Sequence, residues 1–231
     1  MRLIFVRHGE PDYAKDCLTG TGRVQAECTA KRLHDEKIEA IYSSPMGRAK
    51  ETASYTAHDH GLDINVLDFM HEINWGAKEN AEGLKYNGHP WTLASEFRSD
   101  TATGKTDLPW KEHPYFRDNV CMDYFTLIGS GIDALFEKYG IVRENGMYRS
   151  KNGFDGTIAL FAHGGSGAVM FSYVLDLPFP FVLTSMPYGV CSVSIVNFET
   201  QPSGIAIPRI ELFNDMRHLP VVATEKLHFE K

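Results

Sequence analysis

Leu3-Ile4-Phe5-Val6-Arg7-His8-Gly9-Glu10 is the stretch on which the reading of the whole chain turns. Leu3 to Val6 is a short, continuous apolar run with β-branched members, the pattern of a buried strand in a parallel sheet. In open α/β sheets ligands bind beyond the carboxyl ends of the strands. Arg7 and His8 stand there. Gly9 lets the chain turn sharply and lets a ligand come close to the backbone. A guanidinium fork suited to phosphate oxygens therefore sits beside an imidazole that can act as nucleophile or base. In isolation, Arg-His-Gly is better read as a strand end with a surface arginine and a turn-capping histidine. The remainder of the chain reverses that preference.

Thr157 to Ala162 repeats the design. This apolar run delivers His163-Gly164-Gly165-Ser166-Gly167, and a helical apolar run from Ala168 to Leu175 follows until Pro178 and Pro180 break it. Ile38 to Tyr42 is a further strand, ending in Ser44-Pro45-Met46-Gly47-Arg48. Ser44 reads as an N-cap and Pro45 as the first helical residue. Arg48 then lies on a first turn whose dipole and free amides favour an anion. A helix is expected from about Gly22 to His34, capped by Thr19 or Thr21, with Val24, Cys28 and Leu33 near one face. Leu62 to Leu67 reads as a short strand.

Residues 77–123 look different from their surroundings. Gly, Pro and charges are interleaved there with Tyr86, Trp91, Phe97, Trp110, Tyr115 and Phe116, without a strand pattern. They read as an inserted lid or cap with one or two short helices. A helix is expected over Asn119 to Tyr139, ended by Gly140. Arg143 to Gly156 is turn-rich around Asn145-Gly146. Ser192 to Phe198 and Ile205 to Phe213 are the last strands, with Pro208 marking an edge. The expected fold is one α/β domain over 1–231: a three-layer sandwich with a mostly parallel central sheet and an inserted subdomain over its C-terminal edge.

Composition narrows the function classes. Hydrophobic residues at 43% and charged residues at 23% of 231 residues suit a well-filled core rather than disorder. A net charge of −7 argues against a nucleic-acid partner, which needs a basic face. A small phosphate ester needs only a local cationic pocket. Cys17, Cys28, Cys121 and Cys191 are far apart and lack CxxC spacing, so they read as free thiols in a reducing compartment. The chain runs directly into a strand without a signal segment, and no apolar run is long enough to span a membrane. A cytoplasmic protein with no membrane partner is expected. His58 and His60 read as surface residues, and neither a metal nor a cofactor is expected. Homo-oligomerisation is left open.

Two strands ending in histidine and a helix opening with arginine converge on one sheet edge. Phosphoryl transfer depends mostly on positioning and charge neutralisation. Arg7, Arg48 and a protonated His163 would clamp the equatorial oxygens. His8 would attack phosphorus in line, giving a phosphohistidine that water hydrolyses. The leaving alkoxide needs a proton from a carboxylic acid whose pKa is raised by burial or neighbours. This argument does not select the acid among 30 acidic residues.

Several motifs, in order, resemble the histidine phosphatase superfamily, also called the phosphoglycerate mutase-like family. Val6-Arg7-His8-Gly9-Glu10 is similar to its opening signature, and Leu18-Thr19 with Gly22 and Gln25-Ala26 to the segment after it. Ile41-Tyr42-Ser43-Ser44-Pro45-Met46-Gly47-Arg48-Ala49, with Glu51-Thr52-Ala53, resembles the second arginine motif. Met70-His71-Glu72-Ile73-Asn74-Trp75-Gly76 resembles the acid-bearing segment, Phe161-Ala162-His163-Gly164-Gly165 the second histidine motif, and Cys191-Ser192-Val193-Ser194-Ile195 the late strand. The resemblance implies His8 as the phosphorylated nucleophile, Arg7, Arg48 and His163 as the phosphate pocket, and Glu72 as the proton donor. Glu10 is the competing acid and is read as orienting its loop or pairing with a pocket cation. Thr19, Gly164 and Ser166 are further candidates for contacts around the phosphate. After Gly76 the match thins: Lys78 and Asn80 stand where family members often have Trp and Gly. Ser166-Gly167-Ala168 does not supply the arginine often found after the second histidine.

Three functions follow from this reading. The first is a phosphatase acting on a small phosphorylated metabolite. The second is a phosphoglycerate-mutase-type isomerase, which returns the phosphoryl group to its substrate and needs a second set of cations. Lys85, Arg98, Lys105, Lys111 and Arg117 in the insertion are scattered, and the tail offers no closing segment, so the phosphatase is preferred. The third is a binding protein on the same fold, marked by loss of a catalytic residue; none is lost.

Overall fold

The computed structural model describes residues 1–79 and 81–220. In chain order its elements are β1 (Arg2–Arg7), β2 (Pro11–Asp12), β3 (Cys17–Leu18), α1 (Gly20–Leu33), β4 (Ile38–Ser43), α2 (Gly47–His60) and β5 (Ile64–Val66). Then follow α3 (Pro90–Ala102), α4 (Pro114–Arg117), α5 (Asp123–Glu137), β6 (Ile141–Glu144), β7 (Met147–Ser150) and β8 (Thr157–Ala162). The last are α6 (Gly164–Leu175), α7 (Phe179–Ser185), β9 (Val193–Thr200) and β10 (Ile205–Asp215). Asn80 and most of the tail after Asp215 lie outside the described residues.

Eight strands form one sheet in the order β5-β4-β8-β1-β9-β10-β7-β6. The half that carries the motifs, β5-β4-β8-β1, is wholly parallel, and β9 and β7 alone run against the common direction. Alternation along the central strands builds two cores. Leu3, Phe5, Ile158, Leu160 and Ala162 face α5 and α6, meeting Ile128, Ile132, Leu135 and Val169. Ile4, Val6, Ala159 and Phe161 face the other way, meeting Leu33, Ala53 and Ala57 of α1 and α2. A period of two on strands sandwiched between helices gives three layers.

The β1–β8 register decides the site. Arg7 lies opposite Ala162, so His8 and His163 leave their strands side by side, and the His8 N–H donates to the Ala162 carbonyl at 2.9 Å. Ser43 of β4 lies opposite Phe161, bringing the start of α2 to the same edge.

Several local expectations need correction. Val24 is exposed; the buried face of α1 is made of small and polar residues, Gln25, Ala26, Thr29 and Ala30, with Leu33. Helix α2 begins at Gly47 rather than Pro45, with Met46 as a cap residue that makes no side-chain capping bond. Helix α6 begins four residues before Ala168, within the glycine-rich segment. Pro180 does not end a helix but sits in the first turn of α7, where a missing N–H is harmless. Asn145-Gly146 does form the β6–β7 hairpin turn, both residues at positive φ. β7 pairs with β10 only at Ile205 and Ala206, so Pro208 lies where that side of β10 has no ladder. In 77–123 the longest element is α3, a 13-residue helix.

Candidate active site

The site forms where β1, β8 and the β4–α2 connection end. His8 is 1% exposed. Its Nδ1 lies 2.8 Å from the Gly9 carbonyl, which can only accept, so Nδ1 carries the proton and Nε2 keeps its lone pair. Burial, then the cation of Arg7, pushes the imidazole down to about 3. His8 is therefore a neutral base with its nucleophilic nitrogen fixed by a main-chain acceptor. Its ring centroid lies 5.1 Å from that of His163.

His163 is fully buried. Its Nε2 is 2.6 Å from the Ser44 hydroxyl, which also accepts the Met46 N–H. This is why Ser44 does not act as an ordinary N-cap. The Nδ1 of His163 has no protein partner. Burial, then His8, Arg48 and Arg7, push His163 well below the usual histidine range. Two arginines and a second imidazole disfavour the charge on His163, so the protonated form expected from the sequence requires an anion beside it.

Arg7 donates from Nη1 to the Tyr188 carbonyl at 3.1 Å. Arg48 donates from Nη1 to Asp16 at 2.6 Å, and the other oxygen of Asp16 accepts the Gly47 N–H at 2.6 Å. The anion expected at the start of α2 is therefore supplied by the chain itself. Against the upward push of burial, the Gly47 amide and the Arg48 guanidinium hold Asp16 below the usual carboxylate range. Tyr13 lies 5.3 Å from the Arg48 guanidinium, ring to cation. With these partners made, the Nε groups of both Arg7 and Arg48 are buried and unpartnered. Among the described residues seven buried side-chain polar atoms lack partners. Three belong here: Arg7 Nε, Arg48 Nε and His163 Nδ1. Orphaned buried donors are costly, about 1–3 kcal/mol each, and clustered orphans mark where a ligand belongs.

Glu72 reaches the same place from the segment after β5. Its Oε1 accepts the N–H groups of Ile73 and Ser166, both at 2.9 Å, and its Oε2 accepts that of Gly165 at 3.1 Å. The first turn of α6 therefore seats the carboxyl group. A side chain at Gly165 would collide with Glu72 and Ile73, so the seat needs glycine.

The other candidates are placed differently. Glu10 and Thr19 bond each other at 2.8 Å, and the Thr19 hydroxyl also accepts the Gly22 N–H as the cap of α1. Both organise the loop and neither lines the cavity. Ser166 contributes its backbone to Glu72, while its hydroxyl stays buried out of the cavity wall. Gly164 does line the cavity. Among the described residues no group of three or more His, Cys, Asp or Glu could hold a metal ion.

Above this floor is a cavity of about 500 Å³. Arg7, Arg48, Glu72 and Gly164 line its base, and Trp75, His89, Trp91, Leu183, Met186 and Tyr188 are among its walls. Sequence reasoning missed Asp16, Ser44 and Tyr188. The Tyr188 carbonyl holds Arg7, and its hydroxyl donates to the Gly164 carbonyl. None of the three has a chemical signature outside the fold.

Residues 3–111 match the family model of the histidine phosphatase superfamily, branch 1. The chain is 32% identical over 120 residues to the 2,3-bisphosphoglycerate-dependent phosphoglycerate mutase of Thermoplasma acidophilum, covering 45% of this chain and 58% of that one. The chain spans about half the length of the first curated relatives it matches, 47%, 58% and 43% of them. Among solved structures, a mycobacterial glucosyl-3-phosphoglycerate phosphatase in complex with inorganic phosphate aligns at TM-score 0.63 and 20% identity, over 95% of this chain and 99% of that one. A phosphoserine phosphatase from Entamoeba histolytica, in complex with 3-phosphoglyceric acid, aligns at 0.59 and 21%, again over 95% and 99%. At these identities the two structures establish a shared fold.

Proposed function

We propose that this chain, whose residues 3–111 match the model of the histidine phosphatase superfamily, branch 1, is a phosphomonoesterase working through a phosphohistidine on His8. One observation carries the reading: beside the free Nε2 of His8, three buried nitrogens (Arg7 Nε, Arg48 Nε and His163 Nδ1) have no protein partner. A phosphoryl group supplies acceptor oxygens for all three.

In the first step His8 Nε2 forms a bond to phosphorus as the ester P–O bond breaks. Glu72 gives its proton to the departing oxygen. In the second step Glu72 takes a proton from water, the water oxygen bonds phosphorus, and the N–P bond breaks. Ester and water become alcohol and inorganic phosphate. The arriving dianion reverses the electrostatics at His163, so that it takes up a proton and donates to phosphate while Ser44 accepts from its other nitrogen. The segment 77–123 serves as the cap, contributing His89, Trp91 and Ser95 to the cavity wall. Among the described residues no helix is long and apolar enough to cross a membrane, and a cytoplasmic location suits the four free cysteines.

The test is release of phosphate from p-nitrophenyl phosphate by the intact chain and by His8→Ala. Loss of release in the variant supports the nucleophile; turnover like the wild type removes it. The second reading, a mutase-type isomerase, draws on the names of the curated relatives. Rapid isomerisation of 3-phosphoglycerate with its bisphosphate primer, without phosphate release, would install it instead.

A further inference from the structure

Arg7 and Arg48 of the phosphate cup line the cavity, and the remaining wall reports on what the phosphate is attached to. Among the 16 residues lining the cavity, Arg7 and Arg48 are the only Lys or Arg side chains. The cations of 77–123 are turned to other partners. Lys78 pairs with Asp123, Lys85 with Glu96, Lys105 with Asp100 and Arg117 with Asp118, while Lys111 lies over the Trp110 ring. Arg98 donates to the hydroxyls of Thr184 and Ser185 and lies over the Phe181 ring. Among the described residues, a carboxylate or second phosphate on the substrate would meet no Lys or Arg side chain lining this wall beyond the two of the phosphate cup. Stripping its water without a partner is costly.

What the wall does offer is aromatic surface. Trp75 stands edge-on to His89, with ring centroids 5.3 Å apart, and edge-on to Trp91 at 6.1 Å. His89 and Trp91 are stacked at a shallow 33° with centroids 5.3 Å apart. Trp75 is 42% exposed, a large apolar area left open at the cavity. Val182, Leu183 and Met186 supply aliphatic surface to the same cavity. Burial holds His89 below its usual range, so this wall adds no charge at neutral pH.

Resting on the phosphatase reading, we propose that the substrate's alcohol portion is uncharged and carries a flat aromatic ring, seated against Trp75, His89 and Trp91. The enzyme discriminates against phosphate esters that bear a carboxylate. Ring packing and the absence of a counter-charge act in the same direction.

The experiment measures kcat/KM of the full chain for 2-phenylethyl phosphate, phosphoserine and 3-phosphoglycerate. All three release an alkoxide, so differences report recognition rather than leaving-group reactivity. The phenylethyl ester should be favoured by at least about tenfold, and Trp91→Ala should lower that preference mainly through KM. Equal or better turnover of phosphoserine or 3-phosphoglycerate would overturn the proposal while leaving the phosphatase reading standing. No release from any ester, p-nitrophenyl phosphate included, would instead bring down the phosphatase reading. Calorimetric binding to His8→Ala reads the same preference without turnover. Tighter binding of phosphoserine than of 2-phenylethyl phosphate there would also refute the aromatic seat.

Discussion

Lowering the pH from 8 to 5 should destabilise the protein through the two site histidines. At pH 8 both imidazoles are essentially neutral in the folded and unfolded chains, and neither affects stability. An unfolded histidine takes up a proton near 6.5. Folded His8 resists until about 3, because burial and Arg7 oppose the charge. Between those values the unfolded chain binds more protons, so stability falls as pH falls. At pH 5 the deficit from His8 alone is about 2 kcal/mol, from 1.5 pH units below the unfolded pKa at about 1.4 kcal/mol per unit. His163, displaced further in the same direction, adds about as much by the same linkage. The assay is urea unfolding followed by tryptophan fluorescence at pH 8 and pH 5, for wild type and His8→Asn. Carboxylate effects are shared and cancel in the comparison. The variant should lose about 2 kcal/mol less than wild type over that range. An equal loss in both would show that the buried imidazole is not held neutral, and the basis for a ready nucleophile would go with it.

Rapid quenching of His8→Ala with radiolabelled ester should show no acid-labile phosphoenzyme, where wild type shows one. Glu72→Gln should slow turnover by about 10²–10⁴-fold, with full retention of rate excluding the proton-donor role. Asp16→Ala should raise KM for p-nitrophenyl phosphate more than it lowers kcat, because Arg48 loses the carboxylate that holds it at 2.6 Å. An unchanged KM would place Arg48 elsewhere in the working site. Gly47→Ala should destabilise the chain by about 1–3 kcal/mol in denaturant unfolding, since a Cβ there runs into the Asp16 carbonyl.

The parts of the fold carried by repeated apolar runs were legible in the sequence. β1 and β8 are such runs, and each ends at its histidine. The register that sets His8 beside His163 was not legible, because it depends on pairing between segments 155 residues apart. Helix starts were misread where a side chain has a more demanding partner than its own backbone. Ser44 is drawn to His163 rather than to capping α2, and the segment after His163 joins α6 with the Gly165 and Ser166 N–H groups seating Glu72. Val24 misled because α1 packs through Ala, Thr and Gln rather than through its larger apolar residue. The cavity wall assembles Trp75, His89 and Trp91 with Val182, Leu183 and Met186, residues far apart in the chain whose meeting no local pattern announces.

The pairing of Arg48 with Asp16 bears on how the site can bind an anion without already being full. The carboxylate takes one Nη of the fork and the first free amide of α2, so the positive charge is held in place before a ligand arrives. Arg7 is anchored in the same way by the Tyr188 carbonyl, again through one Nη. In both arginines the Nε edge stays unsatisfied. A phosphate therefore meets donors that are already ordered, and the entropy of fixing two long side chains is not charged to binding. Asp16 nevertheless offsets one of the two guanidinium charges, and both imidazoles are neutral, which limits the long-range pull of the site on anions in general. On the proposed mechanism the site gains its charge only when a phosphoryl dianion draws a proton onto His163, which makes selection for phosphate depend on the bound dianion itself.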